Sequence, residues 1–226
     1  GDIYTVPSTG GRATQITTNP AFDTEPVWSP DSKQIAFASD RMGSLDVFLV
    51  SSEGGAPQRL TTHSGSEKPV AYKDNKHILF TANIAPSAED AGFPSGQFQQ
   101  VYEVAVTGGR PAMFSSMPME CISINKEGVM LYQDKKGYED YWRKHQVSPI
   151  ARDIWTYTPG KKPVYQKQTT FGGEDREPVW SPDGKSFYYL SEEKGSFNIF
   201  QRTPGTTTSQ QITFHTKHPV RFLSIS

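Results

Sequence analysis

Short apolar runs alternate with clusters of Gly, Pro, Asp and Ser along the whole chain. Within the runs the period is two. Ile35 and Phe37 point one way and Gln34, Ala36 and Ala38 the other, as a pleated strand requires. Helical periodicity is nearly absent. The pattern predicts many short strands joined by tight turns, with strands over 34–39 and 186–191 among them.

One stretch organises the rest. Glu25-Pro26-Val27-Trp28-Ser29-Pro30-Asp31 returns as Glu177-Pro178-Val179-Trp180-Ser181-Pro182-Asp183, an identical heptapeptide 152 residues further on. Such self-similarity marks an internal repeat. Val27 and Trp28 end one strand. Ser-Pro-Asp then makes a turn, with proline presetting φ and Asp-Ser or Asp-Gly tolerating the turn backbone. A second strand follows.

Three further marks recur. A strand opens on Asp-Ile/Val-aromatic at Asp2-Ile3-Tyr4, Asp46-Val47-Phe48 and Asp153-Ile154-Trp155, and more loosely at Gln100-Val101-Tyr102 and Asn198-Ile199-Phe200. A glycine turn comes next, at Gly10-Gly11, Gly54-Gly55, Gly108-Gly109, Pro159-Gly160 and Pro204-Gly205. A short strand closes the unit, as in Gln15-Ile16-Thr17, Arg59-Leu60-Thr61 or Gln211-Ile212-Thr213. Variants of the heptapeptide stand at Lys68–Asp74, Pro118–Asn125 and Pro219–Ser226. With Trp28, Ala71, Ile124, Trp180 and Ile225 as equivalents, the steps are 43, 53, 56 and 45 residues. The long steps carry insertions near 83–98 and 134–151.

A unit of this length with four strands is the signature of a propeller blade. One such sheet cannot bury both faces alone, so the aromatic rings are expected to be hidden between neighbouring blades. The predicted fold is all-β: an incomplete β-propeller of four-stranded antiparallel blades, forming one domain or fragment over 1–226. Four blades are expected at about 26–62, 69–115, 119–170 and 178–213. Partial blades are expected at 1–18 and 219–226, which reads as a piece of a longer chain. A sandwich of two sheets would not explain the repeat.

Composition narrows the function classes. The formal net charge is −1, which argues against a nucleic-acid or anionic-membrane partner. No run of 18 apolar residues predicts a membrane-inserted helix. No signal peptide is legible, because Gly1-Asp2-Ile3-Tyr4 leads straight into strand-like sequence. The single cysteine, Cys121, excludes a disulfide within the chain.

The search for catalytic chemistry gives little. There is no Gly-x-Ser-x-Gly elbow; Gly92-Phe93-Pro94-Ser95-Gly96 only resembles one and reads as part of an insertion. His215-x-x-His218 supplies too few ligands for a zinc site and reads as two loop histidines. Asp31, Asp74 and Asp183 are turn formers at hairpin tips. Asp23 with Glu25, and Glu174 and Asp175 with Glu177, precede equivalent strands and are read as groups that hydrogen-bond to neighbouring blades rather than as an acid–base pair. No catalytic residue, metal or cofactor is expected. The 134–151 insertion is charged and aromatic at once. Tyr138, Tyr141, Trp142, Arg143 and His145 are its candidate binding residues, since Tyr, Trp and Arg anchor interfaces. The other reading is that Tyr138 and Trp142 pack the insertion onto the adjacent blade.

The Trp-Ser-Pro-Asp hairpin followed by an aliphatic strand and an Asp-Ile-aromatic strand resembles the TolB-type propeller family over essentially the whole chain. A narrower likeness lies in Tyr138-Glu139-Asp140, Arg143-Lys144-His145 and Arg152-Asp153-Ile154-Trp155. This segment is similar to the first propeller of bacterial tricorn-type serine proteases. The resemblance implies a non-catalytic module for protein or peptide binding or gating, in a periplasmic or secreted protein. In that family such a propeller precedes a second propeller, a PDZ domain and catalytic domains, which would be further partners. Two alternatives follow from the wider resemblance: a TolB-like envelope partner-binding propeller, or the propeller half of a prolyl-oligopeptidase-like peptidase. Open sheet edges at the ends predict self-association.

Overall fold

A computed structural model describes residues 1–84, 99–137 and 147–225. Every regular element among them is a strand. The chain divides into two compact units, Gly1–Met117 and Pro118–Ser226.

The first unit opens with a two-stranded ladder, β1 (Tyr4–Thr5) and β2 (Thr14–Gln15). A four-stranded antiparallel sheet follows: β3 (Asp23–Trp28), β4 (Gln34–Ser39), β5 (Asp46–Ser51) and β6 (Gln58–Arg59). The next sheet holds β7 (Lys68–Asp74), β8 (His77–Ala82), β9 (Gln100–Ala105) and β10 (Ala112–Ser115). The second unit contains β11 (Met119–Ile124), β12 (Met130–Asp134), β13 (Ile154–Thr158) and β14 (Val164–Lys167) in one sheet. Its other sheet is β15 (Asp175–Trp180), β16 (Phe187–Ser191), β17 (Asn198–Arg202) and β18 (Gln210–Gln211). In all four sheets the strands pair in chain order, each with its neighbour, as an up-and-down meander.

The repeated turn is built around a serine hydroxyl. Ser29 Oγ donates to Asp31 Oδ1 at 2.7 Å and accepts from the backbone N–H of Gln34 at 2.9 Å. In the second copy Ser181 Oγ donates to Asp183 Oδ1 at 2.6 Å and accepts from Ser186 N at 3.1 Å. The left-handed residue of the turn is Ser32 in one copy (φ 58°) and Gly184 in the other (φ 69°). Asn125 does the serine's work between β11 and β12, its Oδ1 accepting from Val129 N at 2.9 Å.

The Glu-Pro step of the repeat is a β-bulge. Between β3 and β4 the register shifts from Thr24↔Ala38 to Val27↔Ala36, and between β15 and β16 from Arg176↔Leu190 to Val179↔Tyr188. Glu25 and Glu177 sit at the bulges with φ of 52° and 51°, and Cys121 takes the same place in β11 with φ of 50°. Pro26 and Pro178, which have no N–H for a ladder, are accommodated because they lie at bulges of edge strands.

A second recurring device ties the segment that ends each unit to the start of the strand before it. The hydroxyls of Thr17, Thr61, Thr169 and Thr213 accept from the backbone N–H of Ile3, Val47, Ile154 and Ile199, at 3.0, 2.9, 3.0 and 2.9 Å. The aspartate that opens the third strand is also held. Asp46 pairs with Arg59 at 2.8 Å and Asp153 with Lys167 at 2.8 Å.

The β3–β6 sheet is apolar on both faces, as the alternation predicts. Ile35, Phe37, Phe48 and Val50 pack with Ile3 and Ile16 on one side. Ala36, Val47 and Leu49 pack with Tyr72, Ile78, Phe80 and Tyr102 on the other. In the second unit Trp180, Phe187, Tyr189 and Phe200 pack with Leu131 and Ile154 of the adjoining sheet. Each fully buried Phe or Ile contributes about 1.5–3 kcal/mol relative to exposure.

Two expectations need correction. The two repeat tryptophans are not both hidden between sheets: Trp180 is 6% exposed and Trp28 is 50% exposed. Trp180 donates from Nε1 to the Val129 carbonyl at 3.1 Å and meets Phe187 edge-on. Trp28 is preceded only by the two-strand ladder, which has no counterpart of the β11–β12 hairpin to cover an indole. Segment 219–225, expected as a strand, forms no ladder among the described residues. It still carries the repeat's local geometry, with Phe222 at φ 60°, and Leu223 N donates to Glu177 Oε2 at 2.8 Å.

Candidate functional site

The sequence-based binding residues Tyr138, Tyr141, Trp142, Arg143 and His145 lie outside the described residues, as does the Gly92–Gly96 segment. What is described is the frame flanking 138–146. Lys135 pairs with Glu120 at 3.0 Å, and Arg152 reaches Glu120 and Glu174 at 3.3 and 3.4 Å. Lys136 contacts Asp153 and donates to the Ala151 carbonyl at 2.5 Å. Burial pushes the Glu120 carboxyl up, but hydrogen bonds from Lys135 and Gln133 and the charges of Lys135 and Arg152 outweigh it and hold the group low. Burial dominates at Glu174, which is raised despite Arg152 and Arg176. The two ends of the insertion are thus fixed by a charge network on β11, β12 and the loop before β13.

The acidic groups before the repeat strands divide in two. Asp23 is structural: Arg41 Nη2 reaches both its oxygens at 3.0 and 3.1 Å, and Arg41 Nε donates to Ser39 Oγ at 2.8 Å. Glu25 lies 3.6 Å from Lys68, and Glu177 holds Leu223. Asp175 differs. It is 1% exposed, and neither carboxylate oxygen has a hydrogen-bonded partner of good geometry among the described residues, although the Ser191 and Thr169 hydroxyls are near. Burial, with a smaller contribution from the charges of Asp153 and Glu193, raises its pKa to about 7.

Asp175 lines an open cleft of about 490 Å3 between the end of β14 and the β15–β18 sheet. Thr169, Thr170 and Phe171 after β14 line it, together with Tyr189, Phe200 and Arg202 of the sheet. Glu193, Lys194 and Thr207–Ser209 complete the lining. Tyr189 donates its hydroxyl proton to Ser209 Oγ at 2.8 Å, and burial pushes the phenol up to about 12. Arg202 Nε donates to the Thr206 carbonyl at 3.0 Å, which engages its guanidinium. The cleft has hydroxyls, a carboxylate and aromatic faces; no histidine lines it. The sequence carries no local signal for it, because its lining comes from separate stretches of chain between Thr169 and Gln211.

Metal-ligating geometry is absent among the described residues: no three His, Cys, Asp or Glu side chains converge. His215 and His218 are exposed in the loop after β18.

Four four-stranded antiparallel meanders, each opening on a bulged inner strand and packing face to face within its unit, define β-propeller blades. Residues 1–226 match the family of the Tricorn protease N-terminal β-propeller domain throughout, and the chain belongs to that family. Over 63 residues it is 40% identical to the uncharacterized peptidase YuxL of Bacillus subtilis, a stretch that is 27% of this chain and 10% of that protein. The crystal structure of the tricorn protease superposes with a TM-score of 0.75 at 16% identity, over 96% of this chain and 21% of that one. TolB from Acinetobacter baumannii gives 0.70 at 16% identity, over 93% of this chain and 48% of that one. At such identities the superpositions report fold alone.

Proposed function

We propose that this chain is a non-catalytic propeller module for binding or gating of proteins or peptides, belonging to a larger tricorn-like protease. One observation carries the reading: the cleft at Asp175 is lined by hydroxyls, aromatic faces and a buried carboxylate, and no histidine or cysteine stands among its described lining residues. Such a surface suits an extended peptide, which offers amide groups and side chains together. The 138–146 segment adds Tyr138, Tyr141, Trp142, Arg143 and His145 as proposed capture residues. The other domains of the parent chain are further partners, and a periplasmic or secreted location follows from the resemblance to tricorn and TolB propellers. With a net charge of −1, nucleic acid and membrane insertion are not part of this reading. The exposed Phe222, in a segment that forms no strand ladder among the described residues, favours self-association of the chain.

The test is incubation with a panel of peptides, read both as binding and as turnover. Binding without cleavage is expected, with Trp142→Ala or Arg143→Ala weakening capture at an unchanged melting temperature. Clear turnover by this chain overturns the non-enzymatic reading. The likeness to TolB supports a second reading, an envelope partner-binding propeller. The gene beyond Ser226 separates the two: a second propeller and PDZ domain favours the first, an immediate stop the second. An α/β-hydrolase domain there would instead favour a prolyl-oligopeptidase-like parent.

A further inference from the structure

The internal repeat supplies its own template for the cleft. In the β3–β6 sheet the Arg41 guanidinium pairs with Asp23, donates to Ser39, and lies over the Phe37 and Phe48 rings at 5.3 and 4.6 Å from their centroids. Moving 152 residues along the repeat, Asp23 becomes Asp175, Phe37 becomes Tyr189, Ser39 becomes Ser191 and Phe48 becomes Phe200. The ladder registers agree, since Phe37 faces Phe48 as Tyr189 faces Phe200. The carboxylate, the hydroxyl and both rings are therefore all present in the β15–β18 sheet. The cation is not: Arg41 becomes Glu193.

Asp175, Tyr189, Phe200 and Glu193 are also four of the residues that line the open cleft. An unpaired buried carboxylate is costly, and a cation with planar donors and an apolar face is the group that relieves it. The cleft's own cations do not do so. Lys194 lies 3.4 Å from Glu193 with its side chain 60% exposed, and Arg202 is spent on the Thr206 carbonyl.

We propose that this cleft binds the guanidinium of an arginine side chain carried by a peptide, in the place that Arg41 fills from within the chain in the first full sheet. The guanidinium pairs with Asp175, faces Tyr189 and Phe200, and meets Glu193 at the mouth. Arginine is favoured over lysine because only a planar fork can pair with the carboxylate and stack on the rings together. This names the chemistry of the peptide in the function proposed above and rests on that reading.

The experiment compares a short blocked peptide with one central arginine and the same peptide carrying citrulline, which keeps the shape and loses the charge. By calorimetric titration the arginine peptide is expected to bind at least about tenfold more tightly, as the loss of a charged hydrogen-bond partner implies. Asp175→Asn removes that difference. Glu193→Arg restores the internal guanidinium, so it is expected to raise the melting temperature and to abolish binding of the arginine peptide. Equal affinity for the two peptides, or unchanged arginine binding in Glu193→Arg, overturns the assignment. If other peptides bind without regard to arginine, only the guanidinium assignment falls. If no peptide binds, the peptide-binding function falls with it.

Discussion

Trp28 and Trp180 occupy the same place in two copies of one heptapeptide, yet the first is half exposed and the second is buried against Leu131, Ile154 and Phe187. Identical local sequence therefore has two different energetic roles. Trp180→Ala is expected to cost about 3–5 kcal/mol, as for a large ring removed from a packed site, and Trp28→Ala no more than about 1 kcal/mol. Urea titration of both variants measures this. Acrylamide quenching adds an independent reading, with Trp28 accessible and Trp180 shielded.

The serine of the hairpin turn is the second target. Ser181→Ala removes the acceptor of Ser186 N and the donor to Asp183, and is expected to cost about 1 kcal/mol. The hydrogen bonds from Ser181 and from the Lys185 backbone hold the Asp183 carboxyl below its ordinary range. A lowered native pKa gives stability that is complete above the ordinary aspartate value and is lost as pH falls through the native one. The variant is therefore expected to lose less stability on acidification than the parent. Melting temperatures taken between pH 6 and pH 2.5 check the sign.

Thr61 tests the link between the segment that ends its unit and the start of the strand before it. Its hydroxyl accepts from the buried N–H of Val47, and the side chain is 1% exposed. Thr61→Val keeps the shape and leaves that N–H unpaired, at an expected cost of about 1–3 kcal/mol. Amide exchange at Val47 is expected to quicken more than at Phe37, in the neighbouring strand. Equal acceleration at both would mean global destabilisation and no specific link.

Asp175 gives the opposite pH signature to Asp183. Its native pKa is raised to about 7 by burial and by the nearby Asp153 and Glu193, so the native state holds the proton more tightly than the unfolded chain. Stability is then lost as pH rises from the ordinary aspartate range through about 7. Asp175→Asn removes this loss. Urea midpoints of parent and variant are expected to agree near pH 4 and to diverge by pH 8, with the variant the more stable. Parallel midpoints across that range would show that the carboxylate finds a cation in solution.

Much of the fold was legible because the governing physics is local. The Glu-Pro-Val-Trp-Ser-Pro-Asp heptapeptide encodes a bulge, an edge strand and a hydroxyl-centred turn within a few residues, and Pro26 and Pro178 fit only at such a bulge. The two-residue alternation of Ile35, Phe37 and Ala36 separated the two faces of a sheet that is buried on both. The candidate site was less legible. The expectation that these carboxylates bond to neighbouring blades does not describe Asp23, which pairs with Arg41 of its own sheet, and the Arg41 counterpart beside Asp175 is Glu193. The signal lies in the repeat beyond the heptapeptide, where Ser39 is matched by Ser191 but Arg41 by Glu193.

The sequence by itself determined the repeat unit, the strand and turn chemistry and the blade class, because each depends on neighbours within a few residues. Only the tertiary structure decided which tryptophan is buried, which carboxylate lacks a cation, and that Asp175, Tyr189, Phe200 and Glu193 share one cleft. Those outcomes depend on what the adjoining sheet places opposite each side chain. Burial and charge pairing act through space, between residues that the chain keeps far apart.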